Sequence, residues 1–231
     1  MKRFWTAAAA MPADHGWTIA LDGKPVRTPA RAALLLPTSD LADAIAGEWQ
    51  AQGETVNPRA MPLTGLANAA IDWVAPEPAS FAARLAAYAG TDLIAYRAEG
   101  PASLAAMQAA AWDVWTAWLD RRLGAALTLT TGIMHVAQPP ATLERVAAAF
   151  AAFGPFQLAA LDPIVTITGS AVLGLAVAAG EMDAGAAYDT AHVDARWQEQ
   201  QWGRDPLAEH AEAVRRADLA AAVRFLRLLP G

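Results

Sequence analysis

GWTIALDGKPVRTP, residues 16–29, decides the fold class. Gly16 to Leu21 alternates at the period of a strand with one buried face. Asp22-Gly23 is a strong signal for a two-residue hairpin turn, because both residues tolerate the left-handed backbone such turns require. Lys24 to Pro29 then returns as a second strand. The turn sets the register, since a slip of one residue would move Trp17, Ile19 and Leu21 to the other face. Working outward, Phe4 and Trp5 suit a strand before the hairpin. Ala32 to Leu36, ended by Pro37, suits one after it. The expectation is a small antiparallel sheet.

After Pro37 the period changes. Thr38 or Ser39 can cap a helix running to about Gln52, with Leu41, Ile45, Glu48 and Trp49 three and four apart. Gly53 ends it. Asn57-Pro58 and Met61-Pro62 mark an irregular link, and helices are predicted from Thr64 to Trp73 and from Ser80 to Tyr88. A boundary near Gly90 divides the chain into an N-terminal α+β domain, residues 1–89, and a C-terminal helical domain, residues 90–231. The fold class is α+β: a small N-terminal antiparallel β-rich domain, then a mainly α-helical orthogonal bundle. In the second part Thr91 to Arg97 suits a helical turn or two. Leu127 to Met134 suits a short strand or an extended link. Helices are predicted at Ser103–Leu123, Ala141–Ala152, Pro155–Ala160, Pro163–Ala179, Ala184–Gln201 and Pro206–Leu229.

Composition excludes several functions. With 231 residues, 55% of them hydrophobic, the chain can bury a real core. The formal charge of -6 argues against a generic nucleic-acid binder, although Lys2, Arg3, Lys24, Arg27 and Arg31 leave room for a local basic patch. There is no cysteine, so disulfides, thiol catalysis and cysteine-ligated metals are excluded. MKRFWTAAAAMP at the N-terminus is too short and weak for a secretory core region. The charge-free stretch from Pro163 to Gly180 sits at the lower edge of a membrane span. Gly169, Gly174 and Gly180 lower its hydrophobicity, so a buried helix and no membrane insertion are expected.

Bond-making chemistry is hard to find. None of His15, His135, His192 and His210 belongs to an HExxH pair, and there is no phosphate-binding glycine loop and no nucleophile elbow. His135 follows an apolar run and suits the core or an interface. Asp189 and His192, three apart, suit a local hydrogen bond. Asp72, Asp92, Asp113 and Asp162 are candidate acids, although each suits a cap or a solvent contact better than paired acid/base chemistry. Trp112, Trp115 and Trp118 step along one helix, but the net charge argues against a base-stacking platform. No catalytic residue, cofactor or metal is expected. AGAAYDTAHVDARWQEQQWGRD, residues 184–205, sets Asp194 and Gln198 on a face with Ala187 and Ala191. Gly203 should stop that helix, and Asp205-Pro206 should cap and begin the next. Polar groups beside large aromatics at a helix end suit a binding surface, and an ordinary packed terminus has the same spacing.

Several segments together carry a resemblance. They are RFW from Arg3, LDGKPVRTP from Leu21, the run from Leu36 to Asp72 containing EWQAQ and MPLT, TDLIAYRA from Thr91, and Gln108 with Trp112-Asp113. TGI from Thr131, GSAVLGLAVAAG from Gly169, and Asp194, Gln198 and Trp202-Gly203-Arg204-Asp205 complete the set. The sequence resembles, over nearly its whole length, the assembly chaperones for the alpha subunit of the F1 part of ATP synthase, found in mitochondria and alphaproteobacteria. The resemblance implies a β-rich domain joined to a helical one, and no enzymatic activity. It implies one partner, free F1 alpha subunit, with a chain that is monomeric when free. With no targeting peptide evident, a bacterial cytoplasmic location is expected, with homologues in the mitochondrial matrix. It also implies a functional acidic residue in the helical domain. The family's Asp-Glu pair appears here as Asp194-Ala195, so no role passes to position 195. The candidate partner-binding residues are Asp194, Gln198, Glu199, Trp202 and Asp205. Arg27, Trp49 and Gln50 match in the first domain and suit a fold role. An enzyme with an unrecognised carboxylate site, and a chaperone or scaffold with a different client, are the alternatives.

Overall fold

A computed structural model describes residues 2–203 and 205–230. Arg204, in the Trp-Gly-Arg-Asp match, lies outside the described residues. The contacts divide the chain into two compact units. One holds Met1–Pro78, Gly154–Ala160 and Ala221–Gly231; the other holds Ala79–Phe153 and Leu161–Ala220. A boundary near Gly90 cuts the chain once, whereas these units are discontinuous in sequence. Helix periodicity does not tell which core a late segment joins.

In the first unit, β1 (Ala8–Ala13), β2 (Gly16–Leu21) and β3 (Lys24–Pro25) form an antiparallel sheet in that order. Leu21 pairs with Ala8 on one side and with Lys24 on the other. The Asp22-Gly23 turn has φ of 47° and 81°, the left-handed pair the dipeptide predicts. Both Asp22 oxygens also take the Thr6 N–H, and Oδ1 takes that of Ala7 at 2.8 Å, so the turn anchors the incoming chain.

Three strand expectations need correction. The return strand is only Lys24–Pro25, not Lys24 to Pro29. Phe4 and Trp5 precede the sheet. Trp5 is buried edge-on against Trp49, ring centroids 5.2 Å apart, and the first strand is the alanine-rich Ala8–Ala13. Alanine is a poor strand former, and cross-strand pairing overrides that preference. Ala32 to Leu36 forms only isolated bridges, Arg27 with Ala33 and Trp17 with Leu36, although Leu34 and Leu36 are buried.

The helix α1 (Ser39–Gln50) begins at Thr38, whose hydroxyl accepts from Leu41 N and donates to Leu228 O. Its buried face (Leu41, Ala42, Ile45 and Ala46) meets Ile19, Leu34, Leu36 and Phe225 in one core. Each such large aliphatic side chain contributes about 2 kcal/mol by leaving water. Glu48 then does a job its spacing does not show. Its two oxygens accept the N–H groups of Leu63 and Thr64 at 2.8 Å each, and the Thr64 hydroxyl at 2.7 Å. It thus satisfies the first turn of α2 (Pro62–Ala69) from another helix. Gln50 accepts the Ala8 N–H, and Arg27 donates to Arg31 O, so these matched residues hold local structure.

In the second unit the elements run α3 (Pro78–Ala86), β4 (Tyr96–Arg97), α4 (Ala102–Leu123), β5 (Thr130–Thr131), α5 (Pro140–Ala151), α6 (Pro155–Thr168), α7 (Ala171–Ala178), α8 (Ala184–Ala191), α9 (Val193–Trp202) and α10 (Pro206–Arg227). The first residue of α3, and parts of α6 and α10, belong to the first unit. β4 and β5 pair in parallel. The expected helix Pro163–Ala179 is really two. Pro163 sits inside α6, and the break falls at Gly169, φ 64°, where Ser170 caps α7 through Leu173 N. Neighbouring structure tolerates the proline; the left-handed glycine ends the helix. Among the described residues no helix is long and apolar enough to cross a membrane.

The expected helix Ala184–Gln201 is also two. His192 leaves helical geometry at φ -109°, ψ 32°, its ring stacked 3.8 Å from that of Tyr188 and its Nδ1 2.9 Å from Tyr188 O. Burial holds this imidazole below its ordinary pKa. Asp189 therefore does not pair with His192. Its Oδ1 accepts from Arg216 Nη2 at 2.7 Å.

Candidate functional site

The second unit contains a cavity of about 520 Å³. Its floor is Trp112, whose indole N–H is tied to Thr190 O at 2.7 Å, and Gln108, which is 1% exposed. Both project from α4. A glutamine buried in an alanine-rich helix must place both ends of its amide. Here Oε1 accepts from Ala98 N and Nε2 donates to Asp194 Oδ1, each at 2.7 Å. Gln108 therefore links the segment after β4 to the first turn of α9, and it orients the carboxylate of Asp194.

The walls include Leu93, Tyr96, Arg97 and Glu99, and beside them Gly132 and Ile133, with Gly132 N donating to Arg97 O at 2.8 Å. Arg97 Nη2 lies 2.9 Å from Asp113 Oδ1, and its guanidinium sits 5.2 Å from the Trp112 ring centroid. Arg97 Nε and Nη2 are shielded from solvent without a well-aligned hydrogen bond. The side chain is thus held by charge and by the ring face rather than by a bidentate fork. Ile133 is 96% exposed, and Met134 beside it is 77% exposed. Large apolar residues at a turn after Gly132, φ 85°, have no core to face. His135, expected in the core or at an interface, is exposed, with Nδ1 3.2 Å from the Tyr96 hydroxyl.

The candidate residues separate. Asp194 lines the cavity. Gln198, Glu199 and Trp202 continue along α9; Gln198 is exposed and Trp202 is 75% exposed, with its ring edge-on to Trp197 at 5.6 Å. Trp197 donates to the Ser103 hydroxyl at 3.1 Å. Gly203, φ 83°, ends α9, and Asp205 Oδ1 accepts from Leu207 N at 3.0 Å to cap α10. Asp205 is therefore a helix cap. Sequence reasoning missed Tyr96, Glu99 and Ile133 as neighbours of Asp194. The lone amide of Gln108 among alanines and the apolar pair after Gly132 were the available signals.

The other candidate acids have structural partners. Asp72 accepts the Thr28 hydroxyl at 2.6 Å and the Ala30 N–H. Asp162 pairs with Arg84 at 2.8 Å. Asp92 is fully buried and accepts from Ile94 N and Val172 N; desolvation pushes its pKa up to about 6, against those hydrogen bonds. Among the described residues no group of three or more His, Asp and Glu side chains is placed to hold a metal ion.

The model of the ATP12 chaperone protein family matches residues 2–120. Atp12 from Paracoccus denitrificans is 43% identical, over 99% of this chain and 98% of that one, with a TM-score of 0.95. A variant of that protein, with lysine in place of an aspartate, matches at 43% identity over 98% and 97% of the two chains, TM-score 0.94. A protein from Agrobacterium tumefaciens is 39% identical over 99% of this chain and 86% of that one, TM-score 0.95. A small antiparallel sheet followed by a mainly helical region, matched end to end in this way, defines the class as a molecular chaperone. The chain belongs to the ATP12 chaperone protein family. Family membership supports a chaperone role in F1-ATPase assembly.

Proposed function

We propose that this protein binds the unassembled alpha subunit of F1 ATP synthase and keeps it soluble until it pairs with beta. An unassembled subunit exposes apolar interface surface, which self-associates unless it is covered reversibly. The observation that carries the reading is the mainly apolar cavity with Asp194 at its edge and the exposed Ile133-Met134 pair beside it. Client contact extends along α9 through Gln198 to Trp202. No chemical step is required, and a bacterial cytoplasmic location and a monomeric free state belong to the same proposal.

The test is dilution of F1 alpha subunit from denaturant, followed by light scattering, with beta subunit as a separate control. Suppressed aggregation of alpha alone, with a one-to-one complex on sizing, is expected. No effect on alpha would overturn the proposal. Trp202→Ala should weaken the complex by about 2 kcal/mol, the scale of an aromatic anchor. The melting temperature should not change, because Trp202 is exposed. Undiminished protection by both Trp202→Ala and Asp194→Ala would remove α9 from the site.

A further inference from the structure

The cavity beside Asp194 has an unbalanced charge. Arg97 and Asp113 neutralise each other at 2.9 Å, and the Arg97 guanidinium is also drawn to Trp112. Glu99 and Asp194 line the same cavity, and neither has a cation partner among the described residues. Gln108 holds one Asp194 oxygen at 2.7 Å, which fixes the carboxylate without neutralising it. The rest of the lining is largely apolar, with Leu93, Tyr96, Trp112 and Ile133. A hollow with apolar walls and two uncompensated carboxylates is complementary to one kind of side chain. That side chain has a long hydrocarbon stem and a cationic head.

We propose that this cavity seats an arginine or lysine side chain of the client, its stem against Tyr96 and Ile133 and its head between Glu99 and Asp194. The proposal rests on the chaperone reading above and names the chemistry of its contact. Gln108 is then a positioning residue, since it holds Asp194 in place before the client arrives.

Two measurements test this. In the first, the full chain is titrated with N-acetyl-arginine methylamide, and with the uncharged citrulline analogue, while backbone amide resonances are followed. The arginine probe should shift residues 96–100, 132–133 and 194. The citrulline probe should not, nor should the arginine probe in the Glu99→Gln/Asp194→Asn double variant. Equal shifts with both probes, or none in the wild-type chain at high millimolar concentration, would overturn the inference. The second measures the affinity for F1 alpha subunit. Each single variant should weaken binding by about ten-fold, and the double variant should flatten its salt dependence. Both acids are exposed, so the fold should survive; an unchanged melting temperature checks this. Affinity and salt dependence that stay at the wild-type level overturn the inference. A wild-type chain that does not bind alpha at all overturns the chaperone proposal instead, and the amide titration still decides the cavity's chemistry.

Discussion

Asp22 and Asp92 do the same work in the two units and end with opposite ionisation behaviour. Each carboxylate accepts two backbone N–H groups and fastens a distant segment: Asp22 takes those of Thr6 and Ala7, and Asp92 takes that of Val172 besides the local one of Ile94. Asp22 is exposed on the hairpin turn, and the hydrogen bonds from Ala7 and Thr6 hold its pKa below the ordinary value. Asp92 is sealed in the helical unit, and desolvation raises its pKa to about 6 although its donors oppose the shift. The contrast teaches that hydrogen bonding alone does not set the charge; access to water does. Glu48 stands between them, half-buried, accepting from Leu63 and Thr64.

The largest break in this comparison should come from Asp92→Ala. It orphans two N–H groups in a dry interior, so we expect a loss of about 3–5 kcal/mol in denaturant unfolding. A loss below that of Glu48→Ala would mean that the site rearranges around the missing carboxylate. The pH dependence of stability sharpens the comparison next. With a raised folded pKa, Asp92 holds its proton in the folded chain between about pH 4 and pH 6, where the unfolded chain has released it. Folded protein then binds more protons, so this contribution falls as pH rises through that window, by about 3 kcal/mol in all. Asp92→Asn should remove the fall; an unaltered profile would show that Asp92 ionises as an ordinary acid.

Glu48→Ala should rank next, at about 2 kcal/mol, because the partly shielded amides of Leu63 and Thr64 lose their acceptor. Asp22→Asn should have the smallest effect, and its sign is opposite. A lowered folded pKa gives stability that is present above about pH 4 and lost as pH falls through the folded value. The substitution should flatten only that acid limb of the profile. A change above pH 5 would place the Asp22 effect in the turn's backbone geometry instead.

The first unit was more legible than the second for a related reason. Asp22-Gly23 and Thr38 act within a few residues of themselves, so local chemistry identifies the turn and the cap. Asp205-Pro206 was legible in the same way. The helix breaks at Gly169 and His192 were not, because apolar periodicity runs straight through both. In the first case a glycine takes left-handed geometry; in the second, the ring of Tyr188 holds His192. Asp194 and Gln108 stood out as separate residues, 86 apart, with nothing to say that one holds the other.

By itself, the sequence determined the small sheet and its hairpin register, the succession of helices, the exclusion of cysteine chemistry and the chaperone family. These rest on short-range backbone preference, composition and the order of motifs. Tertiary structure alone decided that Ala8–Ala13 is a strand, that Glu48 caps a helix begun at Pro62, and that late segments join the first unit's core. It alone brought Glu99, Gln108, Ile133 and Asp194 around one cavity. The physical reason is common to all four. Each depends on pairing, burial or packing in three dimensions, which the spacing of neighbouring residues does not encode.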